Sequence, residues 1–303
     1  MNTILNKKSA AYLCALLCVG LWGTAFPLIK LGYGELRIAD SAASKLMFAG
    51  ERFALAGVIV FVIGSISGRR ALIPEKKSDI LPIVALGFVQ TFLQYLFAYI
   101  GVGATTATNT SIITGTVSLI SVLMAAVFFK SDRLTVLKII GCAVGFIGIA
   151  VVNMGGFSLS GDLLFGNFIV LLSAFAGASG NIITKKVTSG RNAAVITAWQ
   201  LFFGGVLLFL IGLVLGGSAD ITKGSGAVIL LWLAIVSSVS FLLWTELLGR
   251  HPVSRISVFT MLVPIFGTLW SGILLGEEIF RVENLIALAL ICAGILLVNL
   301  KSK

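Results

Sequence analysis

Ten apolar stretches, each close to the length of one bilayer crossing, fill almost the whole chain. They run at about 10–29, 46–66, 80–100, 104–129, 136–154, 164–184, 194–216, 227–247, 254–275 and 283–300. A helix needs roughly 20 consecutive apolar residues to cross the hydrocarbon core. The connections between them are short, none exceeding about sixteen residues, which leaves no room for a soluble domain. The chain therefore reads as an all-α integral membrane protein of ten transmembrane helices, whose function lies between its helices.

A net charge of +10 invites a nucleic-acid partner, but the placement of the charges argues against one. With a cytoplasmic N-terminus and ten crossings, 16 of the Lys and Arg residues fall inside and 6 outside, the latter Lys30, Arg37, Lys45, Arg52, Lys223 and Arg281. Basic loops resist translocation, so this imbalance is a topological signal. It predicts both termini on the cytoplasmic side of a cell membrane, the bacterial inner or plasma membrane, with the lipid bilayer and no nucleic acid as partner.

Cys14, Cys18, Cys142 and Cys292 all lie in apolar spans, where thiols pack as small hydrophobes. The single histidine, His251, falls in a loop, so neither a zinc nor a haem site is expected. The start mimics a secretory signal, with Lys7 and Lys8 before an apolar run. That run continues through Trp22, Phe26 and Pro27 without a small-residue cleavage site, and reads as an uncleaved first helix.

The chain echoes itself. Phe128-Phe129-Lys130-Ser131-Asp132 and Ile273-Leu274-Leu275-Gly276-Glu277 both end an apolar helix on a small residue and an acid. Arg52-Phe53-Ala54-Leu55-Ala56-Gly57 parallels Gln200-Leu201-Phe202-Phe203-Gly204-Gly205, and Lys30 parallels Lys185 and Lys186. The matches occur in the same order and divide the chain into two five-helix repeats, 9–155 and 163–300. An odd number of crossings inverts the second repeat relative to the first, an arrangement recurrent among transporters. Small residues such as Gly141, Gly145, Gly204, Gly205, Gly212 and Gly216 suit close helix packing within the chain, or else a homodimer face.

The motifs resemble a family. Leu21-Trp22-Gly23-Thr24-Ala25-Phe26-Pro27 with Lys30, Glu51-Arg52-Phe53, the run Ala107 to Ser111, Asp132-Arg133-Leu134-Thr135, Leu262-Val263-Pro264-Ile265-Phe266 and Gly276-Glu277 together resemble the EamA type of the drug/metabolite transporter superfamily. The resemblance spans the full length. It implies an inverted repeat with a central cavity lined by helices 1, 3, 4, 6, 8 and 9, and carriage of small metabolites, often outward, by alternating access. The sequence departs from the pattern at Leu119, which stands where helix 4 should carry the counterpart of Pro264. Ser131 replaces a glycine, and Glu246 is an unexpected acid in helix 8.

Polar side chains inside membrane spans are costly, so a functional role is weighed for each. Helix 4 carries the densest set, with Asn109 and Thr116 on one stripe. These can line a cavity, or bond their own backbone and neighbouring helices. Gln90 and Gln94 stack four apart on helix 3, next to Tyr95; helix 6 offers Asn181 and helix 8 offers Trp244. Trp22, Phe26, Tyr95 and Trp244 can stack on a substrate, whereas Trp199 reads as an interfacial anchor. Pro27 and Pro264 are hinge candidates or packed kinks. Arg52, one to two turns below the outer end of helix 2, reaches interfacial water or lipid phosphate, or attracts anionic substrates. Glu246 pairs with Arg250 four residues on, or couples protons. The substrate-contact set is thus Trp22, Phe26, Gln94, Tyr95, Asn109, Thr116, Asn181 and Trp244. The gating or coupling set is Pro27, Arg52, Glu246 and Pro264.

No acid lies at a bilayer midplane, which favours facilitated diffusion or exchange and disfavours a strongly cationic cargo. There is no Gly-rich phosphate loop followed by Lys-Ser/Thr, so neither ATP nor another cofactor is expected. The segment His251-Pro252-Val253-Ser254 lacks partners for nucleophilic catalysis, so an enzyme is not expected either. The sequence points to a secondary transporter of small metabolites such as amino acids, with export favoured. A non-transporting receptor or assembly factor is the rival reading.

Overall fold

The structure, a computed structural model, describes residues 5–36, 38–66, 73–152, 160–218, 224–276 and 282–300. They form ten helical elements: α1 Lys8–Glu35, α2 Ala42–Ile66, α3 Lys77–Val102, α4 Ala107–Phe128, α5 Val136–Val152, α6 Gly161–Thr188, α7 Ala193–Val214, α8 Gly224–Arg250, α9 Val253–Leu275 and α10 Val282–Asn299. Among the described residues, nine are long and apolar enough to cross a bilayer, and α5 is a shorter apolar helix. The end expected for helix 5 at residue 154 lies outside the described residues, as do Arg37, Lys223, Glu277 and Arg281.

Several helices outrun their apolar stretches. α1 continues to Glu35, α2 starts at Ala42, α6 reaches Thr188 and α8 reaches Arg250. Charged residues end a hydropathy window without ending a helix, because long basic side chains carry their heads to the interface. Local caps set some true starts: the Thr106 hydroxyl accepts the Asn109 N–H at 3.0 Å, and the Asn192 side chain accepts that of Ala194 at 3.0 Å.

Two antiparallel pairs carry the closest backbone approaches. Along α2 and α7, Met47 meets Gly212, Gly50 meets Phe209, Ala54 meets Gly205 and Gly57 meets Phe202. A Cβ on Gly50 would fall 2.3 Å from the Phe209 nitrogen, and one on Gly205 would fall 2.3 Å from that of Ala54. Along α5 and α10, Gly141 meets Val298, Gly145 meets Gly294 and Gly148 meets Ile291. Lipid gives helices little hydrophobic reason to associate, so close van der Waals packing through small residues must hold them. These glycines are spent on packing within the chain.

The other six helices pack as two wedges. α1 lies against α8 and α9, and α6 lies against α3 and α4. Two irregular stretches interrupt them. α3 contains a π-helical stretch, Gly87–Leu93, and α9 contains a 3₁₀ stretch, Val258–Leu262, just before Pro264. Proline cannot donate the backbone bond that an α-helix would need there, and the tighter turn accommodates this. α4, with Leu119 at the corresponding place, is one uninterrupted α-helix.

Candidate functional site

Aromatic and amide side chains from both wedges meet inside the bundle. The Trp22 ring of α1 lies 5.0 Å from Trp244 and 5.6 Å from Phe241, both on α8 and three residues apart on one face. The Trp244 indole donates to Asn181 Oδ1 of α6 at 3.1 Å, and Asn181 Nδ2 donates to Ser121 Oγ of α4 at 3.0 Å. One buried amide thus ties α4, α6 and α8 together. The row continues through Phe53, 6.1 Å from Phe241 and 4.4 Å from Tyr95 of α3. Among the described residues, the buried indole nitrogen of Trp22 has no hydrogen-bond partner. A buried donor left open is expensive, and a polar ligand group would satisfy it.

The expected residues fall into two groups around this row. Trp22, Tyr95, Asn181 and Trp244 belong to it, and Gln94 lies beside it, its amide under Gly177 of α6. Asn109 does not join them: it is fully buried near the start of α4, its amide donating to Asn167 of α6 at 2.9 Å. Thr116 bonds the Ile113 carbonyl of its own helix at 2.6 Å. The side chain of Phe26 lies outside the described residues. Pro27 is buried within a continuous α1, whereas Pro264 follows the 3₁₀ break. Gln90 serves as a junction instead, its Oε1 accepting from Thr184 at 3.0 Å and from Gln200 at 2.9 Å.

Arg52 differs from expectation. It lies well inside α2, is 3% exposed and donates to Ser237 of α8 at 3.0 Å, rather than reaching interfacial water. The cause is the early start of α2 at Ala42, which moves Arg52 inward. Glu246 does pair locally with Arg250, at 2.7 Å.

The end of the bundle that carries the start of α1 and the end of α10 is sealed. Residues of α1, α4, α6, α8, α9 and α10 share one apolar cluster there, including Ala15, Val122, Ile182, Leu247, Ile256 and Ile295. A polar latch lies beneath it. Asp132, after α4, accepts the Ser254 N–H of α9 at 2.9 Å, the Ser254 hydroxyl, and Lys138 at 2.6 Å. Lys185 of α6 donates to the carbonyls of Gly249 and His251, each at 3.1 Å, holding the last turn of α8. Sequence reading noticed Asp132 as a helix-end echo and missed Ser254 as its partner, since 122 positions separate them.

At the opposite end the described contacts fall into two sets. There Ala25, Leu36, Phe48 and Leu233 cluster α1, α2 and α8, while Gly101 against Val170 and Gly166 against Ala104 bind α3 and its loop to α6. α4 packs on Val253–Leu262 of α9, and its contact is concentrated there rather than on Val263–Leu275. Among the described residues, the contacts between α4 and α9 that join the two wedges are concentrated at the sealed end. The aromatic row lies between the wedges.

Comparison with known proteins places this arrangement. A crystal structure superposes with a TM-score of 0.81 over 97% of both chains at 18% identity, so the fold is one already seen experimentally. An Escherichia coli protein named "probable amino-acid metabolite efflux pump" is 26% identical, covering 89% of this chain and 89% of its own. An uncharacterized transporter of Bacillus subtilis is 28% identical over 99% of this chain and 94% of its own. A "probable terminal-alkyne amino-acid exporter" of Streptantibioticus cattleyicolor is 26% identical over 97% and 94%. The EamA-like transporter family model matches residues 9–154 and again residues 164–300. The chain is a multi-pass membrane protein that belongs to the EamA-like transporter family.

Proposed function

We propose that this transporter exports small amphipathic solutes of the amino-acid class by alternating access, without catalysis or a cofactor. The observation that carries the reading is the row joining Trp22, Phe241, Trp244 and Asn181, drawn from α1, α6 and α8 and lying between the two wedges. Aromatic faces suit an apolar side chain. The open Trp22 indole N–H suits a polar group.

The moving units are the two wedges, α1 with α8 and α9 and α6 with α3 and α4, each drawn from both of two inverted five-helix halves, 9–155 and 163–300. Support comes from the packing. Exchanging each helix for the one five places along turns α1·α8 into α6·α3 and α1·α9 into α6·α4, while α2·α7 and α5·α10 map onto themselves. Both self-paired couples run antiparallel, as inversion requires. The sealed end is cytoplasmic, following the distribution of Lys and Arg, so the described arrangement faces outward. Export by the relatives at 26% identity agrees with this direction for the cargo.

The test is efflux from bacterial cells overproducing the protein and loaded with a mixture of amino acids, short peptides and nucleosides. Faster loss of the amino acids, abolished in an inserted Trp22→Ala/Asn181→Ala variant, is expected. Equal loss with and without the protein would refute the reading.

A further inference from the structure

Arg52 is a buried cation without a counter-charge among the described residues. Its Nε donates to Ser237, whose own hydroxyl is spent on the Leu233 carbonyl at 2.9 Å, and its guanidinium carbon lies 4.5 Å from the Phe53 ring centroid. No other hydrogen bond or ion pair of this guanidinium exists among the described residues. Other buried acids are engaged elsewhere: Asp132 with Lys138, Asp79 with Arg191 and Glu246 with Arg250. Glu51 is its neighbour in sequence, but adjacent residues diverge on a helix, and its buried Oε2 has no hydrogen-bond partner among the described residues.

A guanidinium withdrawn from water is costly to hold unless an anion compensates it, and its planar N–H fork matches a carboxylate in bidentate fashion. The surroundings suit such an occupant. Tyr33 and Tyr95 lie within electrostatic reach of Arg52. Beyond Phe53 the aromatic row leads directly to Phe241 and Trp22.

We propose that Arg52 forms a carboxylate-binding subsite. Its free N–H edge takes the carboxylate of a small organic acid or amino acid, the tyrosine hydroxyls flank it, and the aromatic row covers the apolar remainder. That this solute is also the cargo rests on the transport reading above. A lipid phosphate offers similar chemistry, but Arg52 is directed at α8 inside the bundle and away from lipid.

The test uses the purified full chain in lipid-depleted detergent, titrated calorimetrically with phenylacetate and with its neutral isostere phenylacetamide. Wild type should bind the acid at least about tenfold tighter than the amide, the discrimination expected of hydrogen bonds to a charged group. Arg52→Gln should erase that preference with amide affinity unchanged, and Arg52→Lys should retain part of it. Added phosphatidylglycerol should leave acid binding intact. Equal affinities in wild type, no binding of either probe, a preserved preference in Arg52→Gln, or displacement by phosphatidylglycerol would each overturn the subsite. Should Arg52→Gln fail to fold, Arg52→Lys and the wild-type acid-to-amide ratio decide. A protein that keeps the acid preference yet moves no solute in proteoliposomes would refute transport and leave the subsite standing.

Discussion

Asn181 serves two helices with one amide: its oxygen accepts from Trp244 and its nitrogen donates to Ser121. Asn181→Ala strands both partners in a buried setting, so transport should fall about tenfold, and the protein should lose about 1–3 kcal/mol of stability. Flux and thermal unfolding measured on the same preparation check this, and an unchanged flux would separate Asn181 from the site. Asp132 is a different kind of residue, a seal rather than a contact. In Asp132→Ala the Ser254 N–H loses its acceptor and Lys138 keeps only the Arg133 carbonyl, so the sealed end should loosen. Val253→Cys, at a position 1% exposed, should then react several-fold faster with a hydrophilic maleimide than in the Asp132-intact protein. At this scale the sequence was partly legible. Polar and aromatic residues stranded in apolar spans marked Trp22, Tyr95, Asn181 and Trp244, because lipid makes such residues expensive. Spacing along one helix gave Glu246–Arg250. Partners far apart in sequence, such as Asp132 and Ser254, leave no periodic trace. Asn109 and Thr116 carried the same polarity signal as Asn181, but spend it on Asn167 and on their own helix.

At the scale of elements, the α2–α7 seam depends on the absence of side chains. Gly205→Ala places a Cβ 2.3 Å from the Ala54 nitrogen and should cost about 1–3 kcal/mol through overpacking. Gly34→Ala, in α1, meets nothing within 4 Å and should be neutral or slightly stabilising, since alanine favours helix. Thermal unfolding of the two variants in one detergent decides, and equal midpoints would remove the seam from the account. Element number and order were legible because hydropathy reports lipid-facing length. Ends were less so: α2 begins before its apolar run, and this alone misplaced Arg52 at the mouth. The contrast between Leu119 and Pro264 was informative, since α4 runs unbroken where α9 tightens into a 3₁₀ stretch.

At the scale of the whole molecule, the Tyr12 hydroxyl donates to Asn299, so the start of α1 and the end of α10 lie at one end of the bundle and the α1–α2 connection at the other. In a background free of native cysteines, Asp40→Cys should be labelled from outside the cell by an impermeant maleimide. Lys8→Cys and Asn299→Cys should react only after the membrane is opened. External labelling of either terminal position would reverse the orientation and, with it, the assignment of the sealed end as cytoplasmic. The pattern of helix exchange that supports the inverted halves was only hinted at by short echoes in the sequence. Two helices can share a packing role with little residue identity, because small size rather than a particular side chain is what the contact requires.

Alternating access requires the latch between α4 and α9 to open during every transport cycle. The most direct test replaces Asp132 and Ser254 with cysteine in a protein lacking Cys14, Cys18, Cys142 and Cys292. The pair is joined with a short reducible bifunctional reagent, and amino-acid flux is followed in proteoliposomes. Joining should stop flux, and reduction should restore it to the rate of the unjoined protein. Undiminished flux with joining complete would show that solute passes without opening this end, and would contradict alternating access through it.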